Sequence, residues 1–158
     1  MILAVNADLI FRPADVNDLA MIMRIEEKAH DFPWSQAVMQ QFLKKESCVW
    51  VLLNHQAMIG HAVIRVIAGE AELLTIAIDP KYQGNGLGRY LLQQVLQQMH
   101  EQKAQRFFLE VRESNQGALH LYQTFGFVEV GIREDYYPKL NGQRENALIL
   151  ALELASEW

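Results

Sequence analysis

The chain has 158 residues, 51% hydrophobic and 21% charged, with three Trp and seven Phe, which excludes a disordered chain and leaves room for one ordinary core but not two. Its net charge of −5 comes without any cluster of Lys and Arg, so it carries no electrostatic footprint for direct nucleic-acid binding, and a basic partner is the natural complement. No apolar run approaches the roughly 18 residues that cross a bilayer.

The segment Met1-Ile2-Leu3-Ala4-Val5-Asn6 lacks the basic flank of a signal peptide, and the single Cys48 has no partner for a disulfide or a zinc site. The expectation is a cytoplasmic protein without a membrane segment, folded as a single domain over residues 1–158. No repeat, low-complexity run or Pro/Gly/Ser linker marks an internal boundary.

In chain order, Leu9 to Arg12 reads as a short strand. Asp15 can cap a helix whose apolar positions Val16, Leu19, Ile22 and Met23 follow helical spacing. A second helix is expected from Ser35, with Val38, Met39, Phe42 and Leu43 facing inward. Three β-rich segments follow, Val49 to Leu53, Met58 to Ile67 and Glu72 to Ile78, with turns at Asn54-His55-Gln56 and Gly69-Glu70. The period then changes, and Leu87, Leu91, Leu92, Val95, Leu96 and Met99 form the stripe of a helix of about four turns. A strand at Phe107 to Arg112, a helix at Gln116 to Phe125 stopped by Gly126, and strands at Phe127 to Arg133 and Asn146 to Leu154 complete the chain. The predicted class is mixed α/β, one twisted and largely antiparallel sheet with helices on both faces.

Between the strand ending at Ile78-Asp79-Pro80 and the helix from Leu87 lie Gln83-Gly84-Asn85-Gly86-Leu87-Gly88. A helix N-terminus presents unpaired N–H groups and a partial positive charge, and glycines let a phosphate reach that backbone without meeting a Cβ. The spacing is G-x-G-x-G with no Lys after it, which fits neither a Walker loop nor a dinucleotide fingerprint. The same glycines would also serve a simple tight turn.

Taken with its context, Ile76-Ala77-Ile78-Asp79-Pro80-Lys81-Tyr82-Gln83-Gly84-Asn85-Gly86-Leu87-Gly88-Arg89 resembles the Q/R-x-x-G-x-G/A motif of the GNAT acetyltransferases. Leu109-Glu110-Val111-Arg112-Glu113-Ser114-Asn115, then Ala118-Leu119-His120-Leu121-Tyr122 and Phe125-Gly126-Phe127, continue the likeness, and the element order resembles that fold over nearly the whole chain. Within the superfamily, Ala29-His30-Asp31-Phe32-Pro33-Trp34, Leu109 to Arg112 and Arg133-Glu134-Asp135-Tyr136-Tyr137-Pro138 resemble the RimI-type family. Its members acetylate the N-terminal alanine of small-subunit ribosomal protein eighteen.

The resemblance implies acetyl-CoA as donor, its pyrophosphate on the backbone of Gly84, Asn85, Gly86, Leu87, Gly88 and Arg89 behind Gln83. It also implies that the pantetheine arm pairs with the strand edge at Ile76, Ala77 and Ile78 and is held by Asn115. The partner implied is a protein N-terminus on a basic ribosomal-protein tail, bordered by Phe32, Pro33, Trp34, Tyr136 and Tyr137. Tyr136 and Tyr137 would equally well pack a loop before Pro138.

Acetyl transfer from a thioester to an amine needs a neutral amine, a proton removed from it and a stabilised leaving thiolate. Glu110 and Tyr122 match the family positions for those proton-handling tasks. On the strand 107–112, Phe107, Leu109 and Val111 share one face, while Glu110 lies on the other with Phe108 and Arg112. Read without the family, Glu110 is a strand carboxylate paired with a neighbouring Arg or Lys, and Tyr122 a core aromatic spaced with Leu119 and Phe125. An α-amino group ionises near pH 7.7 to 8.0, against about 10.4 for lysine, so a carboxylate acting through water suffices more readily for the former. His30, His55, His61, His100 and His120 show no metal-ligand spacing, and Cys48 lacks the signature of a nucleophile, which favours direct attack in a ternary complex. A lysine or small-amine acceptor and a non-catalytic acyl-CoA-binding module are the competing readings.

Overall fold

The computed structural model describes residues 8–154, so the reading of Met1–Asn6 lies outside the described residues. Seven strands are described: β1 (Leu9–Pro13), β2 (Val49–Asn54), β3 (Ala57–Ile67), β4 (Glu70–Ile78), β5 (Arg106–Arg112), β6 (Val128–Pro138) and β7 (Arg144–Glu153). Their order in the sheet is β1-β2-β3-β4-β5-β7-β6. Four helices accompany them: α1 (Leu19–Ala29), α2 (Gln36–Leu43), α3 (Leu87–Glu101) and α4 (Gln116–Thr124). The mixed α/β class and the mostly antiparallel sheet agree with the expectation. The chain forms two compact units, residues 8–64 with 75–98 and residues 65–74 with 99–154.

In the first unit Asp15 caps a 3-10 turn, Val16–Asp18, that leads into α1. Its side chain accepts from the Asn17 N–H at 2.8 Å, while Asp18 accepts from the Asp15 N–H at 2.9 Å and from both ends of the Arg12 fork at 2.8 and 3.0 Å. Val16 therefore precedes the α-helix and is exposed, contrary to the expected stripe; Ile22, Met23 and Ile25 carry the buried face. Ser35 caps α2 by accepting from the Val38 N–H at 3.2 Å. Met39 and Leu43, one turn apart, are buried, whereas Val38 is 39% exposed because it lies about 100° around the helix from Met39.

Strand β2 pairs antiparallel with β1 and β3. The turn into β4 is Ala68-Gly69, both left-handed at φ 52° and 82°, so Glu70 starts the strand instead of closing the turn; two positive-φ residues suit a tight hairpin. Gly60 has no room for a side chain, since a Cβ would lie 2.5 Å from the Ala77 oxygen and 2.8 Å from Ile78 Cδ1. That close approach, with the Asp79 N–H donating to the Ile59 oxygen at 2.7 Å, pins the end of β4 where the glycine loop begins. In α3 the expected stripe Leu87, Leu91, Leu92, Val95 and Met99 is buried, with Leu96 partly so.

In the second unit β4 and β5 run parallel from Glu70↔Arg106 to Leu73↔Leu109. On β5 Phe107, Leu109 and Val111 are buried and the alternate residues only partly so, as the strand period predicts. Helix α4 ends where Gly126 turns left-handed at φ 96°. Strand β7 lies between β5 and β6, antiparallel to both. Its run Ala147 to Leu152 is apolar on both faces and suits an interior place, whereas Val128, Val130 and Ile132 of β6 are exposed, as an edge strand tolerates. Strand β6 reaches Pro138, five residues beyond the predicted end, across a register shift between Arg133 and Tyr137 where Asp135 is left-handed at φ 50°.

Candidate active site

The first unit carries the predicted donor loop. Asp79, nearly buried at the end of β4, accepts from the Lys81 N–H at 3.1 Å and caps the short turn Pro80–Tyr82. The Gln83 side chain turns back to donate to the Ile78 oxygen at 3.0 Å, and the Asn85 amide donates to the Tyr82 oxygen at 3.0 Å. Both side chains thus help to hold the loop's own shape. Gly84 and Gly86 adopt φ 82° and 77°, and beyond the adjoining residues and the helix's own backbone no atom of the described residues lies within 4 Å of where a Cβ would stand on Gly84, Gly86 or Gly88. Leu87 is buried, and the first turn of α3 closes with the Tyr90 N–H on the Gly86 oxygen at 3.1 Å. The result is an open backbone cradle at a helix N-terminus, which fits an anionic pyrophosphate. The parallel ladder with β5 stops at Leu73 while β4 continues to Ile78, so Ile76, Ala77 and Ile78 lie past its end.

The second unit brings together Glu110, Tyr122, Tyr136 and Tyr137. Glu110 is 29% exposed, and its Oε1 accepts from Arg133 Nε at 2.8 Å; the bland reading of a paired carboxylate is therefore realised, by Arg133. The Glu110 charge, burial and a hydrogen bond with Glu110 together raise the Tyr136 phenol. Burial first, then the charge of Glu110, pushes Tyr137 up to about 12. The two rings meet edge-on at 5.0 Å, with the Arg133 guanidinium 5.6 Å over Tyr136 and that of Arg112 4.6 Å over Tyr137. Both tyrosines belong to strand β6 and not to a loop.

Tyr122, 7% exposed on α4, packs edge-on against Phe127 at 5.6 Å. Burial first, with Tyr137 second, pushes its phenol up to about 12, so it stays protonated at neutral pH. Asn115 is the N-cap of α4 and accepts from the Ala118 N–H at 3.2 Å. That bond engages its carbonyl oxygen in the cap.

Phe32, Pro33 and Trp34 form the link between α1 and α2 in the first unit. The Trp34 ring packs on Phe42 at 5.2 Å, and its backbone N–H donates to Glu26 Oε2 at 3.1 Å. Among the described residues no group of three or more His, Cys, Asp and Glu is placed to hold a metal ion, and no helix is long and apolar enough to cross a membrane.

Residues 19–127, more than half of the chain, match the Acetyltransferase (GNAT) family. The chain belongs to that family. This acetyltransferase is 38% identical over 141 residues to the [ribosomal protein bS18]-alanine N-acetyltransferase of Escherichia coli strain K12, covering 89% of this chain and 95% of that one. It is 41% identical over 137 residues to the corresponding protein of Haemophilus influenzae, covering 87% and 93%. The crystal structure of the E. coli ribosomal-protein-S18-alanine N-acetyltransferase superposes with a TM-score of 0.86 at 36% identity, covering 94% of this chain and 97% of that one. The protein is an acetyl-CoA-dependent N-acetyltransferase, and the RimI-type resemblance holds.

Sequence reasoning about this GNAT enzyme missed two kinds of residue. Arg133, the partner of Glu110, is one; the pairing joins residues 23 apart in the chain, and no local pattern encodes it. Glu26 and His61, buried together, were passed over, although a signal existed: Glu26 sits four residues after Ile22 and three after Met23, on the buried stripe of α1.

Proposed function

We propose that this enzyme acetylates the α-amino group of an N-terminal alanine, that of ribosomal protein bS18, by direct attack in a ternary complex. The observation that carries the acceptor is the 38 to 41% identity to bS18-alanine acetyltransferases over nearly the whole chain. The net charge of −5 suits a basic ribosomal-protein tail, and a ribosomal acceptor supports a cytoplasmic setting. The whole chain, residues 1–158, acts as one catalytic domain.

Acetyl-CoA supplies the activated acetyl thioester. Its pyrophosphate rests on the N–H groups of the 84–89 cradle, its pantetheine arm on the β4 edge at Ile76 to Ile78, and Asn115 adds its amide. Glu110 receives the amine proton through a water; Arg133, donating to its Oε1, holds the carboxylate in place. Tyr136 and Tyr137 flank the carboxylate and, with Phe32, Pro33 and Trp34, border the acceptor. Tyr122 holds its proton to about 12, well above an ordinary thiol near 8.5. Its contribution to the departing sulfur is therefore a hydrogen bond that stabilises the developing thiolate while the proton stays on the phenol.

The test is acetylation of a peptide beginning with the bS18 alanine, beside the same peptide with a blocked N-terminus and internal lysines intact. Transfer to the free N-terminus alone is expected. Equal labelling of the blocked peptide, or no transfer while acetyl-CoA binding is demonstrated, would refute the acceptor assignment.

A further inference from the structure

Unit one buries an acid that the acetyl transfer does not use. Glu26 is 1% exposed on α1, and three donors converge on its carboxylate. His61 Nε2 of β3 lies 2.9 Å from Oε1, the Thr75 hydroxyl of β4 donates to the same oxygen at 3.3 Å, and the Trp34 N–H donates to Oε2 at 3.1 Å. His30 Nε2 stands 3.7 Å from Oε1 and 3.4 Å from the Thr75 hydroxyl. A buried carboxylate is costly unless such bonds satisfy it. Burial alone would raise this carboxyl, but the bonds from His61 and Trp34 and the charge of His30 outweigh it and hold the group below its ordinary range.

The three donors come from different places with distinct duties. Trp34 belongs to the stretch assigned to the acceptor. Thr75 immediately precedes Ile76, where the donor segment of β4 begins. His61 follows Gly60, the residue whose missing Cβ lets β3 close on Ala77 and Ile78. His61 Nδ1 is buried without a partner, which is cheapest when that nitrogen carries only a lone pair and the proton sits on Nε2, facing Glu26.

We propose that Glu26 is a positioning residue for the acceptor: one buried carboxylate, held by His61 and Thr75, fixes the Phe32–Trp34 link relative to the donor strand. The inference rests on the assignment of that link to the acceptor. Glu26 touches no reacting atom in this scheme. Its geometry demands two acceptor oxygens, and Glu26→Gln supplies only one while turning an NH2 toward a donor. Thr75→Val removes one donor at nearly constant shape.

The experiment has two readouts on the intact protein. Hydrogen exchange of the Asp31–Trp34 segment reports the tether whatever the acceptor, and steady-state kinetics with the alanine-start peptide reports its use. Glu26→Gln is expected to speed exchange of that segment at least tenfold and to raise the peptide KM about tenfold, with the CoA dissociation constant within twofold of the parent. Thr75→Val should move the same quantities in the same direction by two- to threefold. Unchanged exchange in both variants overturns the tether. Faster exchange with an unchanged peptide KM overturns the positioning role and leaves a structural one. If Glu26→Gln fails to fold, Thr75→Val carries the same decision. A wild type inactive on the peptide refutes the acceptor assignment instead, and the tether is then decided by exchange alone.

Discussion

The glycine loop, proposed as the donor cradle, and the Glu110 cluster, proposed to handle the protons, are built from different materials. Around Gly84 and Gly86 the chain uses main-chain N–H groups, left-handed glycines and a helix end, while Gln83 and Asn85 serve only to keep the loop in shape. Around Glu110 it uses side chains: a carboxylate held by Arg133 and lined by Tyr136 and Tyr137, with the phenol of Tyr122 beyond. A backbone site tolerates changes in most side chains but not an added Cβ at a positive φ. A side-chain site tolerates shape-preserving changes in binding terms and loses chemistry at once. Under the proposed roles, the comparison leads us to expect that affinity for the donor and the rate of transfer are separable.

The sharpest way to break that separation is Tyr122→Phe, which removes one hydroxyl from a buried ring. We expect turnover to fall by about 10²-fold or more, in the range typical of a positioned acid, with the CoA dissociation constant within twofold. Parallel loss of CoA affinity, read by calorimetry, would show that the two regions are not separable. The opposite change, Gly86→Val, places a branched side chain at φ 77° and fills the open cradle; CoA affinity should drop at least tenfold, with turnover at saturation retained within about threefold. Wild-type affinity in that variant would mean that the phosphates do not rest on this backbone.

The effect least visible at neutral pH is one of stability. Tyr122 is raised in the folded protein to about 12 by burial, so its contribution is complete below the unfolded value near 10 and is lost as pH climbs through the folded one. Tyr137 acts in the same sense. Melting temperature should therefore fall between pH 10 and 12, and Tyr122→Phe should flatten that decline by about 2–3 kcal/mol at its upper end. A variant that declines as steeply as the parent would show that the phenol is not held neutral by the fold.

Much of the architecture was legible because it is local. The stripe from Leu87 to Met99, the alternation on β5, the cap at Ser35 and the stop at Gly126 depend on neighbours within a turn or two. So does the glycine loop, whose chemistry is main-chain geometry at a strand-to-helix junction. Errors fell where position is set from a distance. Val38 fits a helical stripe yet faces out, and Gly69-Glu70 looked like the turn when Ala68-Gly69 makes it.

By itself the sequence determined the element order, the glycine loop ahead of α3 and the family, since these follow from periodicity, glycine spacing and a contiguous motif. Tertiary structure alone decided that β7 separates β5 from β6, that Arg133 holds Glu110, and that Glu26, His61, Thr75 and Trp34 converge on one buried charge. The physical reason is the same in each case: hydrogen bonds and ion pairs act over about 3 Å in space and carry no signature at a separation of 20 or more residues along the chain.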